Sequence, residues 1–212
     1  MLFRSRLDGV LMTHSHADHT HGMDDLRPLV IAMRKRVDIH MDEATSRAVR
    51  QAFDYLFESP PGSFYPPLLN EKRLVSGEAV WVDGQGGAIE ALPFLLEHGE
   101  IPALGLRFGR LAYTPDLNGI PRGSLQFLEG LDIWIIDGLR YKPHPTHLSV
   151  DEALAWIERM RPVTGAGIST AAFSVMTSHI TWSSCTRSPG FTCQATTSAE
   201  TVPSPRSGIL NT

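Results

Sequence analysis

Eleven consecutive residues constrain this chain more than any other stretch: Met12-Thr13-His14-Ser15-His16-Ala17-Asp18-His19-Thr20-His21-Gly22. Four histidines and one aspartate fall within eight positions. The run before them, Gly9-Val10-Leu11-Met12, is apolar and reads as a buried strand. Residues two apart on an extended segment point to the same side. His14 and His16 can therefore reach one cation together. Asp18 and His19 follow where the chain has begun to turn, so they can face a second cation beside the first. Imidazole nitrogen with carboxylate oxygen suits zinc, and also manganese or iron. The competing account is an incidental His-rich loop. The order His-x-His-x-Asp-His directly after an apolar strand argues against it.

The 212 residues suffice for one domain with its own core. A formal charge of −4 gives no footprint for nucleic acid or a membrane surface, and neither partner is expected. No run approaches the roughly 20 apolar residues needed to span a bilayer. The opening Met1-Leu2-Phe3-Arg4-Ser5-Arg6 lacks the apolar centre of a signal peptide. Cys185 and Cys193 read as incidental rather than as a disulfide, and a reduced, cytoplasmic setting is expected. Nothing in the sequence sets the oligomeric state, so a homodimer stays open.

Local patterns supply the elements. A short helix is expected over 22–29, ending near Pro28. Asp24, Asp25 and Arg27 read as a solvated or paired cluster, and Arg34-Lys35-Arg36 as a solvated turn, with phosphate binding the alternative. Residues 37–41 alternate like a strand in which His40 is structural. Asp42 caps a helix whose apolar stripe is Ala48, Val49, Ala52, Phe53, Leu56 and Phe57. The proline-rich stretch 60–67 makes a stiff loop, and Phe64 or Tyr65 could stack on a ligand there. Strands over 79–82 and 88–96 form a hairpin. The glycine-rich turn between them lacks the strand-to-helix context of a phosphate cradle. A second hairpin is expected over 104–108 and 110–114 around Gly109. Residues 131–137 read as a buried strand ending in Asp137, which either faces a pocket or caps a turn. Ser149 and Glu152 form a capping box ahead of a stripe of Val150, Ala153, Leu154, Ile157 and Met160.

The segment from Thr13 to His19 resembles the metal motif of the metallo-β-lactamase-fold hydrolases. The continuation Gly22-Met23-Asp24-Asp25-Leu26-Arg27 resembles the branch that contains phosphoribosyl cyclic phosphate phosphodiesterase. The resemblance runs from about residue 7 to about residue 162. It implies an α/β fold, the four-layer αββα sandwich, here incomplete at both ends. It implies two divalent ions, zinc first and manganese second. The first ion would take His14, His16 and His98. Its third ligand is carried over on the match of His98-Gly99 and the following Leu104-Gly105-Leu106-Arg107-Phe108-Gly109. The second ion would take Asp18 and His19. Asp116 would bridge, and a shared anionic oxygen reduces the repulsion between neighbouring cations; alternatively, Asp116 only caps the turn Pro115-Asp116-Leu117-Asn118-Gly119.

His144 and His147 lie on the proline-pinned loop Pro143-His144-Pro145-Thr146-His147-Leu148-Ser149. That loop approaches a helix N-terminus, where anions are favoured. The resemblance assigns phosphate contact and leaving-group assistance to His147, with His144 the second choice. Asp18 and His147 are thus the candidate catalytic residues, and His144 and His147 the candidate substrate-binding ones. His21 lines the pocket or hydrogen-bonds behind the ligands. The implied activity is metal-assisted hydrolysis of a small phosphodiester. Alternatives are a thioester or lactam hydrolase, or a chain that binds metal without turnover.

The ends depart from the family. Two or more strands and a loop precede the metal motif in the resembling proteins, so a truncated start is expected. The partial hydrolase domain is assigned to 1–162. Residues 163–212 are rich in Ser, Thr, Gly and Pro, a low-order composition. The family continues instead with a strand and a last histidine for the second ion; His179 lies too far along to serve. Two nucleotides out of frame, codons for Ala172-Phe173-Ser174-Val175-Met176-Thr177 can spell Ile-Leu-Ser-His-Asp. An insertion or deletion is therefore expected near the codons for 161–165. Resequencing that shows one intact frame, with a family-like ending elsewhere, would contradict it.

Overall fold

The structure, a computed structural model, describes residues 6–169. Met1–Ser5 and the tail from 170 onward, with His179, Cys185 and Cys193, lie outside the described residues.

Two sheets carry the fold. The smaller is parallel, in the order β1 (Gly9–Leu11), β2 (Val37–Met41) and β3 (Leu69–Arg73). The larger has six strands in chain order: β4 (Val80–Gly84), β5 (Gly87–Leu96), β6 (Ala103–Phe108), β7 (Leu111–Thr114), β8 (Ile133–Asp137) and β9 (Gly165–Ser169). Its pairing is antiparallel through β7 and parallel from β7 to β9. Four helices complete it: α1 (Ala17–Thr20), α2 (Arg27–Met33), α3 (Glu43–Phe53) and α4 (Val150–Met160).

Each sheet buries one face under helices. Val37, Ile39 and Met41 of β2 pack with Val30 of α2, Val49 of α3, Leu56 and Phe57. Phe94, Leu96, Ala112, Trp134 and Ile136 of the larger sheet pack with Ala153, and with Trp156, Ile157 and Met160 at its margin. The other faces meet: a Cβ on Gly9 of the small sheet would lie 2.9 Å from Val82 of the large one. The result is the expected αββα layering.

Both hairpins form. β4 and β5 pair from Val80↔Ala91 to Gly84↔Gly87, and β6 and β7 turn at Gly109 with φ of 58°. The Ser149–Glu152 capping box is present, with both reciprocal bonds made. Asp42 caps α3 by accepting from Thr45 N–H at 2.8 Å.

Several expectations need correction. The helix placed over 22–29 is instead a 3₁₀ turn, His21–Leu26, followed by α2. Pro28 opens α2 rather than ending the helix, because a first-turn residue needs no N–H partner. Ala48 and Ala52 of α3 are exposed; its buried face is Thr45, Ser46 and Val49. Ser46 tolerates burial because its hydroxyl donates to Glu71 of β3. Leu154 of α4 is exposed and Trp156 takes its place against the core, restoring an i, i+3, i+4, i+7 stripe with Ala153, Ile157 and Met160. Past residue 162 the described residues add β9, which pairs with β8 from Ile133↔Gly165 to Asp137↔Ser169.

Gly105 and Phe94 sit directly opposite on β6 and β5, and the Phe94 ring covers the glycine. A Cβ there would overlap the ring. Gly105→Ala is expected to lower stability by about 1–3 kcal/mol, the usual penalty of overpacking. The readout is a lower denaturant midpoint with an unchanged slope. A raised midpoint would mean that Phe94 moves aside freely.

Candidate metal centre

The motif loop is anchored in both sheets. Met12 N–H donates to His40 C=O of β2, and Thr13 C=O accepts from Leu104 N–H of β6. His14 therefore leaves the chain at the junction of the sheets and is fully buried. His16 caps α1, whose first turn closes through His19 N–H to His16 C=O. Thr20 Oγ1 donates to the same carbonyl at 2.9 Å. That turn swings Asp18 and His19 to the second side of the loop.

His98 follows the end of β5 and Asp116 the end of β7. A short bridge, with Glu97 N–H to Gly119 C=O and Asn118 N–H to Glu97 C=O, holds the two turns together. Asn118 then clamps a third segment. Its side chain accepts from Gly99 N–H at 3.2 Å and donates to Pro145 C=O at 2.8 Å. Gly99 has φ of 61° and lies against Thr146, so the turn has no room for a side chain.

Donor atoms converge. His16 Nδ1 lies 3.1 Å from His14 Nε2 and 3.0 Å from His98 Nε2. Asp116 Oδ2 lies 3.5 Å from His14 Nε2 and 3.8 Å from His98 Nε2. The same oxygen is 3.3 Å from His19 Nε2, which is 3.6 Å from Asp18 Oδ2. Thus His14, His16, His98 and Asp116 form one group, and Asp18, His19 and Asp116 another, joined at one carboxylate. Asp116, Asp137 and His147 make a third.

The donor set fits a cation. Ligands 2.0–2.1 Å from a tetrahedral zinc ion stand about 3.3 Å apart, close to the separations in the first group. His98 Nδ1 lies 2.6 Å from Thr146 C=O. A carbonyl only accepts, so Nδ1 carries the hydrogen and Nε2 presents its lone pair to the cluster. Burial lowers the His98 pKa to about 4 and keeps the ring neutral, as a ligand must be. His16 is also lowered, by burial and then by neighbouring His14. Burial would raise Asp116, but hydrogen bonds and charge from His14 and His19 hold it below the ordinary carboxylate range. His19 is raised, burial being outweighed by Asp116 and Asp18.

Around this core the other expected residues divide. His147 is adjacent: its ring lies 4.8 Å from that of His98, and Nε2 is 3.9 Å from Asp116 Oδ2. His144 packs at 5.1 Å from His147, and its Nδ1 accepts from Thr146 N–H, but it belongs to none of the three donor groups. His21 turns away to meet Phe53 edge-on. His40 is buried between strands, as a structural histidine. Phe64 and Tyr65 are strongly exposed. Asp24 pairs with Arg27 at 2.7 Å. Asp137, left between pocket and cap by the sequence, is 1% exposed and accepts from His147 Nδ1–H at 2.9 Å. Burial dominates its titration and pushes it up to about 6, against the pull of His147.

Buried imidazoles and a shared carboxylate on loops at one edge of an αββα sandwich define a metallo-β-lactamase-fold hydrolase, a class built to hold divalent metal. A family profile described as beta-lactamase superfamily domain matches residues 3–166. The chain belongs to that superfamily.

Among solved structures, a diphosphatase from the PhnP family is 33% identical with a TM-score of 0.66, over 78% of this chain and 60% of its own. YhfI from Bacillus subtilis, a metallo-beta-lactamase fold protein, is 16% identical at a TM-score of 0.61, over 80% and 66% of the two chains. The short form of human tRNase Z is 16% identical at 0.53, over 81% and 78%. These last two share the fold. Among curated proteins, an octanoyltransferase of Porphyromonas gingivalis is 30% identical over 151 residues. The match takes 70% of this chain and 29% of that protein. The chain therefore spans less than two thirds of both the diphosphatase and the octanoyltransferase. No helix among the described residues is long and apolar enough to cross a membrane.

Asn118→Ala removes two bonds that tie the His98 turn to the His147 loop. Metal affinity is expected to fall about 10- to 100-fold, as for other residues that orient ligands. Chelator competition measures it; an unchanged affinity would show that the backbone bridge alone holds the turns.

Proposed function

We propose that this protein hydrolyses a small phosphodiester at a dinuclear metal site. The observation that carries the reading is the single oxygen, Asp116 Oδ2, within 3.3–3.8 Å of His14, His19 and His98. It joins two ligand groups whose chemistry suits two like cations. In this reading His14, His16 and His98 hold the first ion, Asp18 and His19 the second, and Asp116 both. Nitrogen-rich ligation favours zinc, with manganese the alternative. When bound, the ions supply an activated water at neutral pH and charge to oppose the phosphoryl oxygens. The 33% identity to the PhnP-family diphosphatase supports phosphorus as the centre attacked.

The chain's own residues do the rest. In this reading Asp18, whose side chain is 65% exposed, orients the water. The water, having given one proton to solvent, bonds through its oxygen to phosphorus as the bond to the leaving oxygen breaks. The leaving oxygen keeps the electron pair. His147, protonated at Nε2, donates that proton to it and returns to the neutral ring. His144, beside His147, contributes to holding the phosphoryl group. The formal charge of −4 favours a small molecule over a nucleic acid as the proposed substrate.

The zinc-loaded protein is expected to cleave bis(4-nitrophenyl) phosphate. His14→Ala and Asp116→Ala should lower the rate at least about 100-fold, alongside loss of bound metal counted by mass spectrometry. His147→Ala should retain metal and lose about 10²–10⁴-fold, the range of general acid catalysis. Wild-type rates in His14→Ala would remove the proposal. Faster turnover of a thioester than of any phosphodiester would move it to another bond.

A further inference from the structure

Asp137 is the residue that the mechanism above leaves unused. It ends β8 and is almost wholly buried, yet it is ionisable. One of its oxygens, Oδ2, faces two ways: it lies 2.9 Å from His147 Nδ1 and 3.5 Å from Leu117 N–H. Leu117 directly follows Asp116. The other oxygen, Oδ1, is buried and has no hydrogen-bond partner among the described residues. A buried carboxylate with half its acceptor capacity idle is costly as a simple turn cap.

The His147 ring has few other restraints. Its neighbours are the edges of His98 at 4.8 Å and His144 at 5.1 Å, contacts that a half-turn of the imidazole would preserve. Among the described residues the bond to Asp137 is the one hydrogen bond that the ring makes; Asp116 Oδ2 faces Nε2 at 3.9 Å, beyond bonding distance. A carboxylate accepts, so it selects the form with hydrogen on Nδ1. Nε2 is then the atom turned toward Asp116. The loop itself gives no such selection, since Thr146 N–H and hydroxyl engage His144 rather than His147.

We propose that Asp137 is a positioning residue for His147. It fixes the ring so that Nε2 faces the reacting phosphorus, and its charge supports the imidazolium that gives up the proton. The inference rests on the leaving-group role given to His147. The proton leaves from Nε2 only.

The test uses the full, zinc-loaded chain labelled with ¹⁵N-histidine, assigned with the aid of His147→Ala. Long-range ¹H–¹⁵N spectra should show His147 with hydrogen on Nδ1 in the neutral ring. In Asp137→Ala the hydrogen should move to Nε2, the form favoured in free imidazole side chains. Turnover of an alkyl phosphodiester, a poor leaving group, should fall about 10- to 100-fold in that variant. The fall on an aryl diester should be clearly smaller. Asp137→Asn, which can still accept from Nδ1–H but has no charge, should keep the wild-type ring form and recover part of the alkyl rate. Hydrogen on Nε2 in the wild-type protein overturns the inference, as does an unchanged ring form in Asp137→Ala or an equal loss on both substrates. Where Asp137→Ala fails to fold, the wild-type spectrum and Asp137→Asn decide. Leaving-group dependence unchanged by His147→Ala would instead overturn the role of His147, leaving the ring geometry set by Asp137 as a separate finding.

Discussion

The structure depends on one arrangement: four ionisable side chains, His14, His16, His98 and Asp116, brought together where two sheets meet. Three of them are almost fully buried. Imidazole lone pairs aimed at one another repel, and a buried carboxylate is costly without a partner. The scaffold opposes that repulsion with backbone. Thr13 C=O binds β6, Met12 N–H binds β2, and the Glu97–Gly119 bridge ties the two remaining turns. Each tie is a main-chain hydrogen bond between elements already held by apolar packing on their outer faces. The donors cannot relax apart without breaking the sheets' edges. A cation of suitable size turns the same crowding into coordination.

Much of this was legible locally. The apolar run before His14, the hairpin at Gly109 and the Ser149–Glu152 box depend on neighbours a few residues away. Their outcome needed no knowledge of the fold. His98 and Asp116 were different. Their convergence with His14 spans some hundred residues, and only family resemblance carried it. No period or composition marks a lone histidine before a glycine as a ligand.

One strand went unassigned and several positions were misread. Leu69-Asn70-Glu71-Lys72-Arg73 shows no apolar alternation and was given no element, yet it forms β3, where Glu71 and Asn70 find partners in Ser46, Arg50 and Asp38 across neighbouring elements. Leu154 and Trp156 exchange roles in α4 because the direction of the sheet beneath, not hydrophobicity, selects the buried face. Pro28 was taken for a helix stop when its position in the first turn made it a start. Asp137 stayed ambiguous because its partner lies ten residues on, across an irregular loop. Except at Pro28, where position within the turn decides, the deciding contact was tertiary.

The bond between His98 Nδ1 and Thr146 C=O has a reach beyond its own geometry. Thr146 adjoins His147, so a ring in the donor cluster and the loop that carries His147 share one hydrogen bond. A ligand that shifts that loop must alter how firmly His98 presents its nitrogen, and filling the cluster must alter how readily the loop moves. Linkage makes the two effects equal in free energy. The donor cluster and the His147 loop are therefore coupled through one imidazole N–H.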